Sequence, residues 1–363
     1  MTEWQHAGLY DPDAPDADEH RALLEYLASL GLTVEDVNDA ACDRRLGRLA
    51  ADRMLWGDTG PTLTAAEIAA RAGLSEEATR RIIRAAGIAD AGDVPAYRDA
   101  HAELFSGFAA GSQIFGEEAL LQFTRVVGAS AARVAEAAVS LFLANVSPRM
   151  EEHQTPPLER VRESADAVAA FAVVPAAMDV LIREHFVAAT RRLGLLDIAE
   201  GGATAVTIAF VDLVDSTEFA NLASAVELTK ALSDFENAAM DAALVHDCRV
   251  VKLIGDEVMI AGASPVTLLD VVAQVLDVVD DHPLLGRGRG GVATGLAVTR
   301  DGDYFGPVVN LAARLVSVAT PGDVLVDHAV AQQVGRDGYI VEPAGDYELK
   351  GFAEPVAAFR ITR

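Results

Sequence analysis

Gly201-Gly202 divides the sequence into two hydrophobic rhythms. Ahead of it, apolar residues such as Ala22, Leu23, Leu24, Leu27 and Leu30 recur at the three-to-four spacing of a helix face. Beyond it, short runs rich in Val, Ile and Ala alternate with amphipathic helices. The first half therefore reads as all-helical and the second as an α/β or α+β domain. A length of 363 residues gives each half enough chain to bury its own core.

In the helical half, Met1 to about Glu19 is rich in Asp and Pro and reads as a flexible arm. Thr64–Ile88 reads as two helices, the first capped by Thr64, the turn made by Gly73, the second opened by Ser75 with Glu76 and Glu77. This resembles a helix-turn-helix, in which Arg71, Arg80, Arg81 and Arg84 would meet DNA. Glu67, Glu76, Glu77 and Asp90 balance those four, so a structural helix pair is the favoured reading. Ser147–Pro157 marks a turn, after which Leu158 to about Leu195 forms a long connecting helix with Val161, Ala165, Val168, Phe171, Val180, Leu181 and Phe186 on an apolar face. Such a helix either transmits a signal or simply packs.

A formal charge of −26 makes the surface repel nucleic acids and anionic membranes, so neither is an expected partner. Ala167–Met178, broken by Pro175, is shorter than the roughly 18 apolar residues a span requires and reads as a buried helical segment. Two cysteines, Cys42 and Cys248, cannot build a disulfide framework, and no signal peptide is visible, so a cytoplasmic location is expected.

In the second half, strands are expected at Ala205–Val214, Arg249–Ile254, Glu257–Ala261, Gly291–Val298, Val324–Val326, Tyr339–Leu349 and Val356–Ile361. Helices are expected at about Glu218–Val245, Val266–Val279 and Val308–Val318. Within TIAFVDLVDST, Asp212 is an ionised group in an apolar run, costly unless something positive meets it. Asp256 sits at the turn of a hairpin. Each alone also fits a surface turn. If their strands are neighbours, the two carboxylates suit Mg2+ or Mn2+, and the turn Leu213–Thr217 leading into a helix suits phosphate. Lys252 lies on an otherwise apolar strand, and Asn310 and Arg314, four apart, share a helix face.

FVDLVDST, VVKLIGDEVM and DYFGPVVNLAAR, in that order, resemble the motifs of class III nucleotidyl cyclases, in particular bacterial adenylate cyclases with a helical, pH-responsive regulatory half. The resemblance covers about Thr204–Arg363 and implies a ferredoxin-like βαββαβ core and a division into a regulatory domain, 1–195, and a catalytic domain, 196–363. It implies two Mg2+ or Mn2+ ions per site on Asp212 and Asp256. Lys252 and Asp303 would read adenine, Asn310 would orient the ribose, Arg314 would stabilise the transition state, and Lys350 would contact phosphate. It further implies ATP as substrate and a homodimer whose two sites each draw on both chains. Asp215 departs from the glycine common there: pointing inward it would repel triphosphate, pointing outward it would cap the next helix. A guanylate cyclase, or a DNA-binding regulator with a nucleotide-sensing half, are the rival expectations. Regulation by pH through His101, His153 and His185, or by an apolar ligand, is expected of the helical half.

Overall fold

The computed structural model describes residues 1–42, 46–56, 62–153, 155–194, 203–214, 224–335 and 338–362. The chain forms two compact units, Met1–Ile182 and Arg183–Arg363.

The first unit is helical. Two apolar clusters organise it, one around Leu24, Leu27, Val37, Ala50 and Val161, the other around Ile68, Ile82, Ile83, Tyr97, Phe105 and Leu121. The expected flexible arm is instead anchored: Thr2–His6 is a helix, and Trp4 is buried in the first cluster with Leu9 and Tyr10 packed beside it. An aromatic ring close to the N-terminus supplies the burial that the Asp- and Pro-rich composition concealed. Thr64 caps Ala65–Ala72 in a reciprocal box with Glu67, Gly73 takes the left-handed turn at φ 68°, and Ser75 caps Glu76–Ala85. Each of the four arginines of this pair meets acid: Arg71 with Asp99, Arg80 with Glu76, Asp90 and Asp93, Arg81 with Glu117 and Glu118, and Arg84 with Asp90. These ion pairs tie the helices to their neighbours.

The expected long connecting helix is interrupted. Pro157–Ala170 gives way to a 3-10 turn at Phe171–Val173 before Val174–Gly194 resumes, just where Pro175 removes a backbone donor. Val161 and Ala165 are buried as expected, but Val173, Val180, Leu181 and Phe186 are exposed, so the segment 167–178 is not a buried one. Nor is it the longest apolar stretch. Glu117–Met150 and Pro157–Arg192 are both long and apolar enough to cross a membrane by length and composition, and the most apolar stretch of each is almost wholly uncovered. The interspersed Arg and Glu residues hid this from a reading of uninterrupted runs.

The second unit is built on one sheet of eight strands, β1 Ala203–Val214, β2 Arg249–Ile254, β3 Glu257–Gly262, β4 Arg287–Arg300, β5 Asp303–Phe305, β6 Val324–Val326, β7 Ile340–Tyr347 and β8 Val356–Thr362. The order is β2-β3-β1-β4-β6-β8-β7, with β5 paired to β4, and only β4 and β6 run parallel. The first four strands with helices Ala225–Val245 and Pro265–Asp281 make the ferredoxin-like core. Strand alternation sorts β1 between two layers. Ala209, Val211 and Leu213 face the cluster holding those two helices, while Val206, Ile208 and Phe210 face the cluster holding helix Pro307–Val318. Sequence reading missed β5 and helix His328–Val334, both too short to show a period.

Helix Pro307–Val318 lies directly on β4 because Gly291 has no side chain; a Cβ there would collide with the backbone of Ala312 and Val316. Gly291→Ala must therefore push the helix off the sheet. A destabilisation of about 1–3 kcal/mol is expected, read as a lowered melting temperature.

Candidate active site

β1 and β3 are antiparallel neighbours, with Asp212 opposite Glu257 and the Leu213 amide donating to the Asp256 carbonyl at 3.1 Å. The neighbourhood that a shared metal site requires of Asp212 and Asp256 is thus met. Asp256 stands on the two-residue turn between β2 and β3, where Gly255 takes φ 66°.

The positive group that Asp212 needs within the chain is Arg289. β4 places it directly across the sheet, and its Nε and Nη2 donate to Asp212 Oδ2 at 2.8 and 2.6 Å. Sequence reading missed Arg289. The signal was available in principle, since RGRGG is an unusual opening for a buried strand, but only the β1–β4 register shows which carboxylate it serves. Burial, and then the charges of Asp212 and Asp256, push the Glu257 carboxyl up to about 7, against the pull of Arg289.

Lys252 and Asp303 form an ion pair, Nζ to Oδ2 at 2.5 Å, in a partly buried setting. A bulge makes this possible. Val250 pairs with Ile260 but Lys252 pairs with Met259, so Val251 is an extra residue in β2. The interruption turns Lys252 onto the face of Met259 and Ala261, the face Arg249 also shares. Asn310 and Arg314 are exposed on helix Pro307–Val318, and among the described residues no acid pairs with Arg314. Lys350 is exposed between β7 and β8, ahead of Gly351 at φ 95°.

The structure thus brings together Asp212 with Asp256, and Lys252 with Asp303. Among the described residues no hydrogen bond or ion pair joins the aspartate pair to Asn310, Arg314 or Lys350. Asp215, Ser216 and Thr217 of the expected phosphate turn lie outside the described residues, and the next helix is described from its cap, Ser224. No cluster of three or more His, Cys, Asp or Glu residues arranged for a metal ion occurs among the described residues. The all-oxygen pair Asp212 and Asp256 nevertheless fits a hard divalent cation, which characteristically keeps water and substrate phosphate as its other ligands.

Comparison with known proteins agrees with these elements. The adenylate cyclase regulatory domain matches residues 5–186, and the adenylate and guanylate cyclase catalytic domain matches 199–280 and 285–362. An uncharacterized protein of Mycobacterium tuberculosis is 34% identical over 98% of this chain and 92% of its own length. A pH-sensitive adenylate cyclase of the same species is 33% identical over 95% of this chain and 88% of its own. An adenylyl cyclase crystal structure from P. aeruginosa, 24% identical, covers 44% of this chain and 94% of that one at a TM-score of 0.39. The chain belongs to the class III nucleotidyl cyclases, in the group of adenylate cyclases that carry this regulatory domain ahead of the catalytic one. It is an enzyme of the phosphorus–oxygen lyase class, whose members generally work with divalent metal ions.

Glu257 gives a pH test of this geometry. Its folded pKa lies above the ordinary carboxylate value, so its favourable contribution is complete below about pH 4.5 and is lost as pH rises through about 7. In metal-free protein, Glu257→Gln should leave stability at pH 4 nearly unchanged. At pH 8 it should raise stability by about 2 kcal/mol, read as a melting-temperature difference that grows with pH.

Proposed function

We propose that the chain converts ATP to 3′,5′-cyclic AMP and pyrophosphate at sites shared between two copies. The observation that carries this reading is the Lys252–Asp303 pair, which offers one donor and one acceptor side by side. Adenine presents an acceptor at N1 and a donor at its 6-amino group, so it matches lysine and aspartate respectively. Guanine presents the opposite polarity and leaves both groups mismatched.

In the reaction, the ribose 3′-oxygen bonds to the α-phosphorus, the bond from that phosphorus to the pyrophosphate oxygen breaks with its electron pair leaving on pyrophosphate, and the hydroxyl proton passes to solvent water. Asn310 orients the ribose so that this oxygen lies in line. Arg314, exposed and without an acidic partner among the described residues, is available to offset the charge that grows on the phosphorus oxygens. Lys350 contacts the phosphates. Asp212 and Asp256 would hold two Mg2+ or Mn2+ ions, which when bound supply positive charge to the attacking oxygen and the triphosphate. Arg289 aims the Asp212 carboxylate through two hydrogen bonds to Oδ2.

Two further features favour a homodimer. Among the described residues no hydrogen bond or ion pair joins Asp212 to Arg314, in keeping with a site that takes one set of residues from each copy. The uncovered apolar residues of Glu117–Asn145 and Val174–Gly194, Phe123, Val127, Leu141, Leu181 and Phe186 among them, need a partner surface. Arg125, Arg133 and Glu136 interrupt the first of these helices, and charged groups at such depth are costly in a bilayer, so we assign the surface to protein and the enzyme to the cytoplasm.

The 1–195 segment acts as the regulatory domain of the 196–363 catalytic domain, responding to pH or to an apolar ligand. His101 is the best placed of the three histidines. It is half-buried between Tyr97 and Phe105, and its Nδ1 accepts from the Arg98 amide at 3.0 Å. Burial pushes its pKa down, so protonation below its ordinary value near 6.5 works against the packing of this unit, which loses stability as pH falls.

Purified protein supplied with Mn-ATP should yield cyclic AMP, and Asp256→Ala should abolish the product. Mixing Asp212→Ala chains with Arg314→Ala chains should restore activity, because half the sites in a mixed dimer are intact. Inactive mixtures in which mixed dimers are demonstrated would refute the shared site.

A further inference from the structure

Asp303 heads a strand of three residues whose main-chain pairing is confined to Val298–Arg300 of β4. The turn before it runs through two residues in the left-handed region, Asp301 at φ 55° and Gly302 at φ 78°. A short edge on so tight a turn is a weak platform for an aspartate that must meet a lysine on β2, with β4, β1 and β3 lying between them in the strand order.

Arg249 supplies the missing support. It stands on the same face as Lys252, its guanidinium donates to the Gly302 carbonyl, and it lies over the Tyr304 ring, 5.4 Å from the centroid. The Tyr304 amide in turn donates to Asp303 Oδ1 at 2.8 Å, while Lys252 takes Oδ2. Both carboxylate oxygens are thereby fixed. A small cavity beside this stack is lined by Arg192, Asp247, Arg249 and Tyr304. Arg192 belongs to the last turn of helix Val174–Gly194, and its neighbour Arg191 pairs with Asp247 at 2.9 Å. Burial and the like charge of Arg249 both weigh against the Arg192 guanidinium, whereas Tyr304 and Asp247 favour it. The helix end and the stack thus line one cavity, with Asp247 tied to the helix through Arg191.

We propose that Arg249 and Tyr304 are positioning residues for the purine-reading pair, and that the end of helix Val174–Gly194 acts on that pair through Arg192. The proposal rests on the reading that Lys252 and Asp303 select adenine. It places an input from the connecting helix at substrate recognition, so the effects fall on KM and on base choice more than on turnover at saturating ATP.

The test measures kcat and KM for Mn-ATP and Mn-GTP on the full chain, with melting temperatures as a check on folding. Arg249→Ala and Tyr304→Ala should each lower the ATP-to-GTP ratio of kcat/KM about tenfold, chiefly through KM for ATP. Tyr304→Phe keeps the ring and the main-chain donor and should restore the ratio. Arg192→Ala should shift KM for ATP in the full chain at least about threefold. Asp303→Asn separates the two readings. If it erodes the ratio while Arg249→Ala and Tyr304→Ala do not, the positioning role is overturned and adenine reading stands. If Asp303→Asn itself leaves the ratio intact, adenine reading falls and the positioning role falls with it. An unchanged KM in Arg192→Ala overturns the action of the helix.

Discussion

An ionised carboxylate at the end of a buried strand is the constraint on which the catalytic unit turns. Asp212 cannot be placed in β1 without a positive neighbour, and the β1–β4 register provides one in Arg289. That pairing fixes which face of β1 carries the site and leaves the other face to the helix layer of Ala225–Val245 and Pro265–Asp281. The same face then has to accommodate helix Pro307–Val318, whose close approach at Gly291 delivers Asn310 and Arg314 to the surface. Charge compensation and close packing thus act on one layer of the sheet.

The electrostatics of this layer are uneven in a consistent way. At the β1–β3 end three acidic groups, Asp212, Asp256 and Glu257, crowd Arg289, and burial together with the excess negative charge pushes the Glu257 carboxyl up to about 7. At the β2–β5 side, lysine and aspartate balance one another. A site that lacks positive charge suits divalent cations and, with them, a triphosphate. A balanced donor and acceptor suit an uncharged base. In the proposed reading the triphosphate and the base of the substrate fall to these two ends.

Much of this was legible in the sequence, and the failures share a physical cause. Arg249–Ile254, which carries Lys252 and ends at Gly255, and the apolar run Val324–Val326 have the bounds that the sequence predicts. Thr64, Gly73 and Ser75 declared their helix ends through local hydrogen bonding. Partnership across the sheet is a different matter. Arg289 is 77 residues from Asp212, and no local pattern says that they meet. Burial was misjudged wherever it depends on distant packing: Trp4 is buried although its surroundings are polar, while Phe186 and Leu181 are exposed although their helix is apolar. Lys350 is the least legible of the candidates, since an exposed turn lysine has no packing signature.

The bulge at Val251 has a consequence for how this recognition element can be inherited. In a regular strand, residues three apart point to opposite faces; the added residue lets Arg249 and Lys252 share one. Parity, and not identity alone, therefore determines whether Arg249 and Lys252 can stand on one face of β2. A related chain with a flat strand here would need the same two groups two positions apart. Aligning such chains residue by residue would pair the lysine of one with the wrong position of the other, even where the folded sites superimpose.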